Sequence, residues 1–299
     1  MSPSPTRDPE LWRRLWLEAK ERSPVNRRKG PGAQPEIEQW NLRAPSFAAH
    51  SDSEGSRARR RGILSWLKKE GALRPEASVL DIGAGPGSFA LPLSRASASV
   101  VALEPAEAMA SILERKIEER GIENIRVIRS TWEETDLAAE SWIGAFDLVF
   151  ASMSPGVSHP AMLEKMNSAS RAFCYLSGWS GGRWGKWGRA QCELWPLIFR
   201  EELGDYPSDI FYAFGLLYAL GYRPELRFLR SPVLLEAKAE EAIGELVEHF
   251  SRYVEVGEAV RGRITAYVQS HSRKGTFRQE STLCQGFMLW PVENRESLF

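Results

Sequence analysis

The chain has 299 residues, of which 43% are hydrophobic, and its 39 Lys and Arg residues balance 39 Asp and Glu residues. This length suits one large domain or two modest ones, and the charge balance provides no global attraction to nucleic acid. No stretch approaches the roughly 20 apolar residues of a membrane span, and the N-terminus has no signal-peptide core. Three cysteines without C-x-x-C spacing predict a cytoplasmic protein with neither disulfides nor a metal site.

The first 50 residues divide into two parts. Residues 1–35 are rich in Ser, Pro, Arg and Gly, which predicts a mobile extension with a short amphipathic part at Leu11–Trp16. The following segment, Trp40–Phe47, is expected to pack as a helix on the sheet, to fold over a bound ligand, or to do both. The Ser56–Lys69 helix then begins with basic residues, Arg57–Arg61, which favour a solvated helix face over a phosphate site.

Residues Val79–Gly87 read V-L-D-I-G-A-G-P-G and contain the most informative motif of the chain. An apolar strand ends at Asp81, three glycines alternate, and an apolar helical pattern follows. Strand, glycine turn and helix form the first unit of a doubly wound sheet, in which ligands bind at the carboxyl ends of the strands. Glycine permits positive φ and close ligand approach, and the helix N-terminus offers free N–H groups.

Three more strands are predicted, and each ends in residues that suit a ligand site. Val100–Leu103 is followed by Glu104, and an acid at the end of a second strand can accept both hydroxyls of a ribose. Ile125–Ile128 is followed by Thr131, and Phe146–Ala151 by Ser152.

The G-x-G-x-G spacing, with an acid two positions before the first glycine, differs from the G-x-G-x-x-G dinucleotide fingerprint. It resembles motif I of class I S-adenosylmethionine-dependent methyltransferases, and the later strand ends resemble the matching motifs in the same order. The resemblance implies an α/β fold: a doubly wound seven-stranded sheet with the last strand antiparallel. It also implies S-adenosylmethionine as cofactor. To this fold the sequence adds an N-terminal helical extension and a helical insert after strand five.

The resemblance also implies which residues bind the cofactor. Asp81 and Glu104 would bind it without reacting, and Thr131 and Trp132 would flank the adenine, although Trp132 can equally be a core residue. In many enzymes of that family a segment like Trp40–Phe47 folds over the cofactor. The full cofactor-binding set is Trp40, Arg43, Phe47, Asp81, Gly83, Ala84, Gly85, Pro86, Gly87, Glu104, Pro105, Met109, Thr131, Trp132, Glu133, Ser152 and Met153.

The C-terminal half contributes an insert and the end of the sheet. A core of residues 36–182 is followed by a mostly helical insert, 183–274, that would roof the acceptor site, and by a two-stranded hairpin, 275–299. Gly178–Arg189 suits a mobile binding loop because stacking aromatics and cations are interleaved there, with a plain surface loop as the alternative. The candidate acceptor contacts are Trp179, Arg183, Trp184 and Trp187.

The acceptor chemistry is constrained mainly by motifs that the chain lacks. After strand four, Ser152–Gly156 contains neither the N/D-P-P-Y/F motif of amino-directed enzymes nor the P-C of pyrimidine-carbon methylation. His50 and His159 are the candidate general bases, with surface or capping roles as the alternative.

These observations favour methyl transfer to O, N or S of a small molecule, with no membrane partner, and they disfavour nucleic acid. Three alternatives stay open. They are methylation of RNA or protein, regulatory cofactor binding without turnover, and aminocarboxypropyl transfer from the same cofactor. The sequence leaves the oligomeric state undetermined.

Overall fold

The structure, a computed structural model, describes residues 5–51, 53–181, 186–204 and 209–292. Its helices are α1 (Pro9–Arg22), α2 (Pro24–Arg27), α3 (Glu36–Ser51), α4 (Glu54–Lys69), α5 (Ala90–Ser94), α6 (Glu107–Glu119), α7 (Pro160–Ala169), α8 (Gly188–Phe199), α9 (Ile210–Ala219), α10 (Ala239–Ser251) and α11 (Glu258–Ser270). Its strands are β1 (Ser78–Ile82), β2 (Ser99–Leu103), β3 (Ile125–Ile128), β4 (Phe146–Ser152), β5 (Ser170–Trp179), β6 (Glu225–Lys238), β7 (Ser272–Arg273) and β8 (Thr276–Pro291).

Seven strands form one sheet in the order β3-β2-β1-β4-β5-β8-β6, and the two-residue β7 pairs with β8. The first five strands in this order are parallel, and β8 runs antiparallel to both of its neighbours. The doubly wound sheet with an antiparallel last strand that the sequence predicts is therefore confirmed. Parallel strands place their carboxyl ends together, and we call this side of the sheet the carboxyl edge.

The central strands are apolar on both faces because helices cover both sides of a parallel sheet. Leu80 and Val149 belong to one buried cluster, and Val79 and Leu148, their neighbours in sequence, belong to the cluster on the opposite face. This alternation fixes the register of β1 against β4.

The N-terminal region is a docked helix rather than the mobile extension predicted for residues 1–35. Asp8 caps α1 by accepting a hydrogen bond from the Leu11 N–H. Trp16 is buried in the core cluster that also contains α9, and Arg13 pairs with Glu164 of α7 at 2.8 Å. Compositional bias pointed to disorder, but the packing of α1 on the core, its N-cap and its intrahelical hydrogen bonds together order this helix.

Beyond β5, part of the chain forms a second body, which we call the cap unit: α8, α10, α11 and the outer parts of β6 and β8. Arg230–Lys238 pairs with Thr276–Cys284, so the β6–β8 ribbon continues past the last β5 pair, Trp179 with Gln285. At about 3.4 Å per residue this ribbon extends roughly 30 Å beyond the carboxyl edge. The helices pack on it around their own cluster, which includes Trp195 and Phe250.

The hairpin predicted for residues 275–299 is wrong as far as the structure describes them. Thr276–Pro291 is one continuous strand, and its partner β6 lies inside the predicted insert. The reason is that β6 is an edge strand with mostly exposed residues, so its pattern lacks the apolar run of a buried strand.

The chain leading into α3 is tied to the cap unit. The N–H groups of Gly30 and Gly32 donate to the carbonyls of Arg252 and Ser251 at 2.8 and 3.0 Å. A Cβ at either glycine would collide with Ser251, so the close approach requires glycine. Within the described residues, no helix combines the length and apolarity that crossing a bilayer requires.

We expect Trp16→Ala to lower the free energy of unfolding by about 3–5 kcal/mol, because it leaves a cavity in the main core. Chemical denaturation of both proteins measures this change. Leu17→Ala, at an exposed position of the same helix, should cost less than about 0.5 kcal/mol. Equal small losses in the two variants would contradict the docking of α1.

Candidate functional site

The turn after β1 has the geometry that its glycines permit. Gly83, Gly85 and Gly87 have φ values of +72°, +56° and +85°. The N–H groups of Gly83 and Ala84 donate to the Leu103 carbonyl at 2.8 and 3.1 Å, which ties the turn to the end of β2. A Cβ at Gly83 would collide with Ser154, so the turn also packs closely against the loop after β4.

Glu104 holds this turn to the start of α6. Its Oε2 accepts a hydrogen bond from the Gly85 N–H and its Oε1 accepts one from the Ala106 N–H, both at 2.8 Å. Burial raises the pKa of Glu104, and the two N–H groups oppose that rise. Because a carboxylate has about four lone-pair sites, each oxygen retains capacity for a further donor.

Asp81 is the second buried acid of the site and is only 2% exposed. Its Oδ2 has no hydrogen-bond partner among the described residues. Burial, and secondarily the charge of Glu104, raise the pKa of Asp81 to about 8, against a smaller opposing effect of the Ala90 N–H. An unpartnered buried carboxylate oxygen beside a glycine turn suits an ammonium or N–H donor of a ligand.

Helix α3 lies beside the glycine turn. Asn41 accepts a hydrogen bond from the Ala108 N–H at 3.0 Å, and Ala44 packs on Ala106 and Met109. The Phe47 ring comes within 3.9 Å of where a Gly85 Cβ would stand.

Two other residues of the predicted segment lie on this helix. The ring of Trp40 meets that of Phe47 edge-on at 5.6 Å. Arg43 lies near Glu248, Arg252 and Tyr253 of the cap unit, and burial lowers its pKa. The structure therefore brings the predicted Trp40–Phe47 segment to the turn that it was expected to cover, with Arg43 directed toward the cap unit.

The residues predicted to contact the cofactor at the ends of β3 and β4 make different contacts in the structure. Trp132 is 2% exposed within the core, and its Nε1 donates to the Met162 carbonyl at 3.1 Å, so its ring does not fit the predicted flanking of an adenine. Thr131 accepts the Glu134 N–H and stabilises the turn. Ser152 pairs with Ser177 at 3.1 Å.

Met153 follows β4 with a left-handed φ of +56°. Its N–H donates to the Ser177 carbonyl at 3.0 Å, which holds this uncommon conformation at the carboxyl edge. Strained backbone of this kind concentrates at functional sites.

The structure distinguishes the two candidate bases. His159 ends the loop after β4 and makes no capping hydrogen bond to α7 with its side chain. Burial and the nearby Lys20 lower the pKa of His159, against a weaker effect of Glu133, so the ring is neutral at pH 7 and can accept a proton. His50 lies exposed in the last turn of α3.

Lys20 is a residue of this region that the sequence did not indicate. It comes from α1, and its ammonium donates to the Ser158 hydroxyl at 3.1 Å. No local pattern could reveal the contact, because the two residues are far apart in the chain.

The predicted acceptor contacts separate into three groups. Trp187 is a core residue of the cap unit: it is 6% exposed, packs against Phe277, and donates to Glu245 at 3.2 Å. Its predicted role as an acceptor contact does not fit this burial. Trp179 stands at the end of β5, at the carboxyl edge. Arg183 and Trp184 lie outside the described residues.

A sequence profile described as "Methyltransferase domain" matches residues 79–172. An uncharacterized protein of Haemophilus influenzae is 28% identical over 188 residues, or 59% of this chain and 65% of that protein. The 23S rRNA (uracil(1939)-C(5))-methyltransferase RlmD of Shewanella sediminis is 29% identical over 114 residues, or 38% of this chain and 25% of that protein. The chain thus spans less than two thirds of these relatives.

The solved structure of YcgJ from Bacillus subtilis superimposes with a TM-score of 0.52 at 14% identity. The superposition covers 77% of this chain and 98% of that protein. At this identity the likeness concerns the fold.

We expect S-adenosylhomocysteine to bind more tightly as pH rises, by about tenfold or more between pH 6 and pH 8. The reason is that Asp81, protonated below its pKa of about 8, must ionise before it can accept from the ligand's ammonium group. Calorimetry in two buffers of different ionisation enthalpy would measure the released proton. Asp81→Asn should abolish the release, and an unchanged proton count in this variant would argue against the role of Asp81.

The same raised pKa predicts how the ligand-free protein depends on pH. Protonated Asp81 contributes stability that is fully present below pH 4 and is lost as pH rises through about 8. Relative to the parent protein, the free energy of unfolding of Asp81→Asn should therefore rise by at least about 1 kcal/mol between pH 6 and pH 9. Parallel stability curves for the two proteins would contradict this expectation.

We expect Glu104→Ala to weaken S-adenosylhomocysteine binding at least about tenfold. Each lost charge-assisted hydrogen bond to the ribose is worth about 1.5–3 kcal/mol, and the N–H groups of Gly85 and Ala106 also lose their acceptor. Calorimetry of the folded variant measures the loss. Glu107→Ala, at an exposed acid in the first turn of α6, is the matched control and should bind normally.

Proposed function

Because the chain belongs to the class I, Rossmann-like family of S-adenosylmethionine-dependent methyltransferases, we propose that it transfers a methyl group from this cofactor to a small molecule in the cytoplasm. The observation that carries the proposal is the pair of buried acids, Asp81 and Glu104, beside a glycine turn at the carboxyl edge.

The residues around the turn fit the cofactor. S-Adenosylmethionine supplies a methyl group that is already activated on a sulfonium, and it also carries an ammonium group and two ribose hydroxyls. The unpartnered Oδ2 of Asp81 suits the ammonium, and the remaining lone pairs of Glu104 suit the hydroxyls. Phe47 and Met109 would contribute apolar contacts.

The protein's own task is to position the acceptor, exclude water and receive a proton. A neutral ring nitrogen of His159 would take the proton from the acceptor's O–H, N–H or S–H group. Removal of that proton would leave the acceptor atom with an electron pair for the methyl group, which the bound cofactor would supply with its own sulfur as the leaving group. Burial supports this role, because it lowers the pKa of His159 and keeps the ring unprotonated.

The cap unit supports a small acceptor. It stands beyond the carboxyl edge on the β6–β8 ribbon, and α3 contacts both the glycine turn and the neighbourhood of α10. We propose that the cap unit and α3 together roof the acceptor site and exclude water from it.

Methylation of ribosomal RNA is the second candidate, because several relatives, RlmD among them, carry that function in their names. Against pyrimidine-carbon methylation, no cysteine follows Pro155. Cys174 is fully buried, and burial raises the pKa of its thiol. Cys284 lies on β8 rather than in the loop after β4.

The test is S-adenosylhomocysteine release with a panel of small hydroxyl, amine and thiol acceptors, compared with ribosomal RNA. We expect turnover with a small molecule, and His159→Ala should lower kcat by about a hundredfold or more. His50→Ala, at the exposed histidine, should leave kcat unchanged.

Each alternative has its own result in the same assay. Turnover only with RNA would replace the small-molecule proposal. Methylthioadenosine as product would identify aminocarboxypropyl transfer, and tight cofactor binding without any product would indicate a regulatory protein.

A further inference from the structure

Arg59 of α4 is a half-buried cation at the carboxyl edge. Its guanidinium donates to the side-chain oxygen of Gln285 at 3.0 Å, and no carboxylate among the described residues pairs with it. The flanking Arg57 and Arg61 are exposed and both pair with Glu54, at 3.3 and 3.0 Å.

Two other half-buried arginines of this protein have a counter-ion, whereas the half-buried Arg263 donates to the Ile198 carbonyl at 3.3 Å. Arg13 pairs with Glu164 at 2.8 Å, and Arg28 pairs with Glu201 at 2.7 Å. Burying a cation beside neutral groups alone is costly, and an anion beside it recovers that cost. An anion that pairs with Arg59 would therefore offset part of the cost of burying it.

The groups around Arg59 are neutral and polar. Gln285 is 7% exposed, and its amide nitrogen contacts the Met153 sulfur at 3.7 Å, which keeps the amide oxygen turned toward Arg59. Tyr175 and Ser177 are two residues apart on β5 and so face the same side of the sheet. Ser152, on the neighbouring strand β4, pairs with Ser177. One guanidinium with hydroxyl and amide groups, and no acid, is a typical anion-binding composition.

The position of Arg59 separates it from the two acids that suit the cofactor. Asp81 and Glu104 follow β1 and β2, whereas Gln285 lies on β8, three strands from β1 in the sheet order. At about 4.8 Å per strand this is roughly 14 Å. In the proposed function the acceptor would approach the methyl group near the ends of the intervening β4 and β5, which would place Arg59 on the far side of the acceptor.

We propose that Arg59, oriented by Gln285, binds an anionic group of the methyl acceptor, which makes the acceptor a carboxylate- or phosphate-bearing small molecule. This inference rests on the proposed function and specifies its substrate class. The planar guanidinium can offer two parallel N–H donors to either anion.

The experiment measures binding of inorganic phosphate and of benzoate to the protein saturated with S-adenosylhomocysteine, by calorimetry. We expect at least one probe to bind, Arg59→Met to weaken it at least tenfold, and Arg59→Lys to lie between the two. Arg61→Met, at the exposed arginine of the same helix, is the matched control and should bind like the parent. Circular dichroism and thermal unfolding confirm that each variant is folded.

The outcomes separate the two proposals. If S-adenosylhomocysteine binds but neither probe does, or both probes bind Arg59→Met as tightly as the parent, the anion subsite is wrong and the proposed function stands. If Arg59→Met loses S-adenosylhomocysteine affinity instead, Arg59 holds the cofactor's carboxylate and the inference is overturned. If phosphate binds through Arg59 while S-adenosylhomocysteine binds to no variant, the proposed function fails and the anion site stands.

Discussion

The hydrogen bonds of Glu104 are the interaction on which the site depends. One carboxylate, at the end of β2, satisfies both the Gly85 N–H of the first turn and the Ala106 N–H at the start of α6. The end of β2, the glycine turn and the start of α6 are thereby held together around a carboxylate that is itself buried. Burial, and secondarily the charge of the nearby Glu104, raise the pKa of Asp81, so two acids without a basic partner lie together at the turn. Such a site discriminates in favour of cationic ligands before any shape is considered.

The part of the structure that sequence predicts well is governed by local rules. A glycine with positive φ, an acid after a strand and an apolar alternation each leave a signal within a few residues, so the glycine turn, Asp81 and the first four strands were predicted. Whether a tryptophan is buried or exposed follows no such local rule. Trp132 and Trp187 occur in polar surroundings in the sequence, but each is buried by residues distant in the chain, such as Met162 and Phe277. The docking of α1 and the pairing of β6 with β8 are equally non-local.

The same distinction explains why the cofactor side was easier to recognise than the acceptor side. The family profile ends at residue 172, and it therefore includes Asp81, Glu104 and His159 but neither Arg59 nor Gln285. Arg59 is one of several arginines in a basic run, and only its contact with a residue of β8 distinguishes it from its solvated neighbours. The acceptor residues that we propose lie on elements outside the glycine turn, in keeping with the general separation of scaffold and specificity.

The two backbone hydrogen bonds from Gly30 and Gly32 to the end of α10 have a mechanical consequence. Only residues 33–35 separate this tie from α3, and α3 carries Phe47 over the glycine turn. A displacement of the cap unit is therefore transmitted along a short, nearly inextensible stretch of chain to the helix that covers the turn. If the cap unit and α3 roof the acceptor site as proposed, a movement of the cap unit would therefore also move α3 relative to the glycine turn.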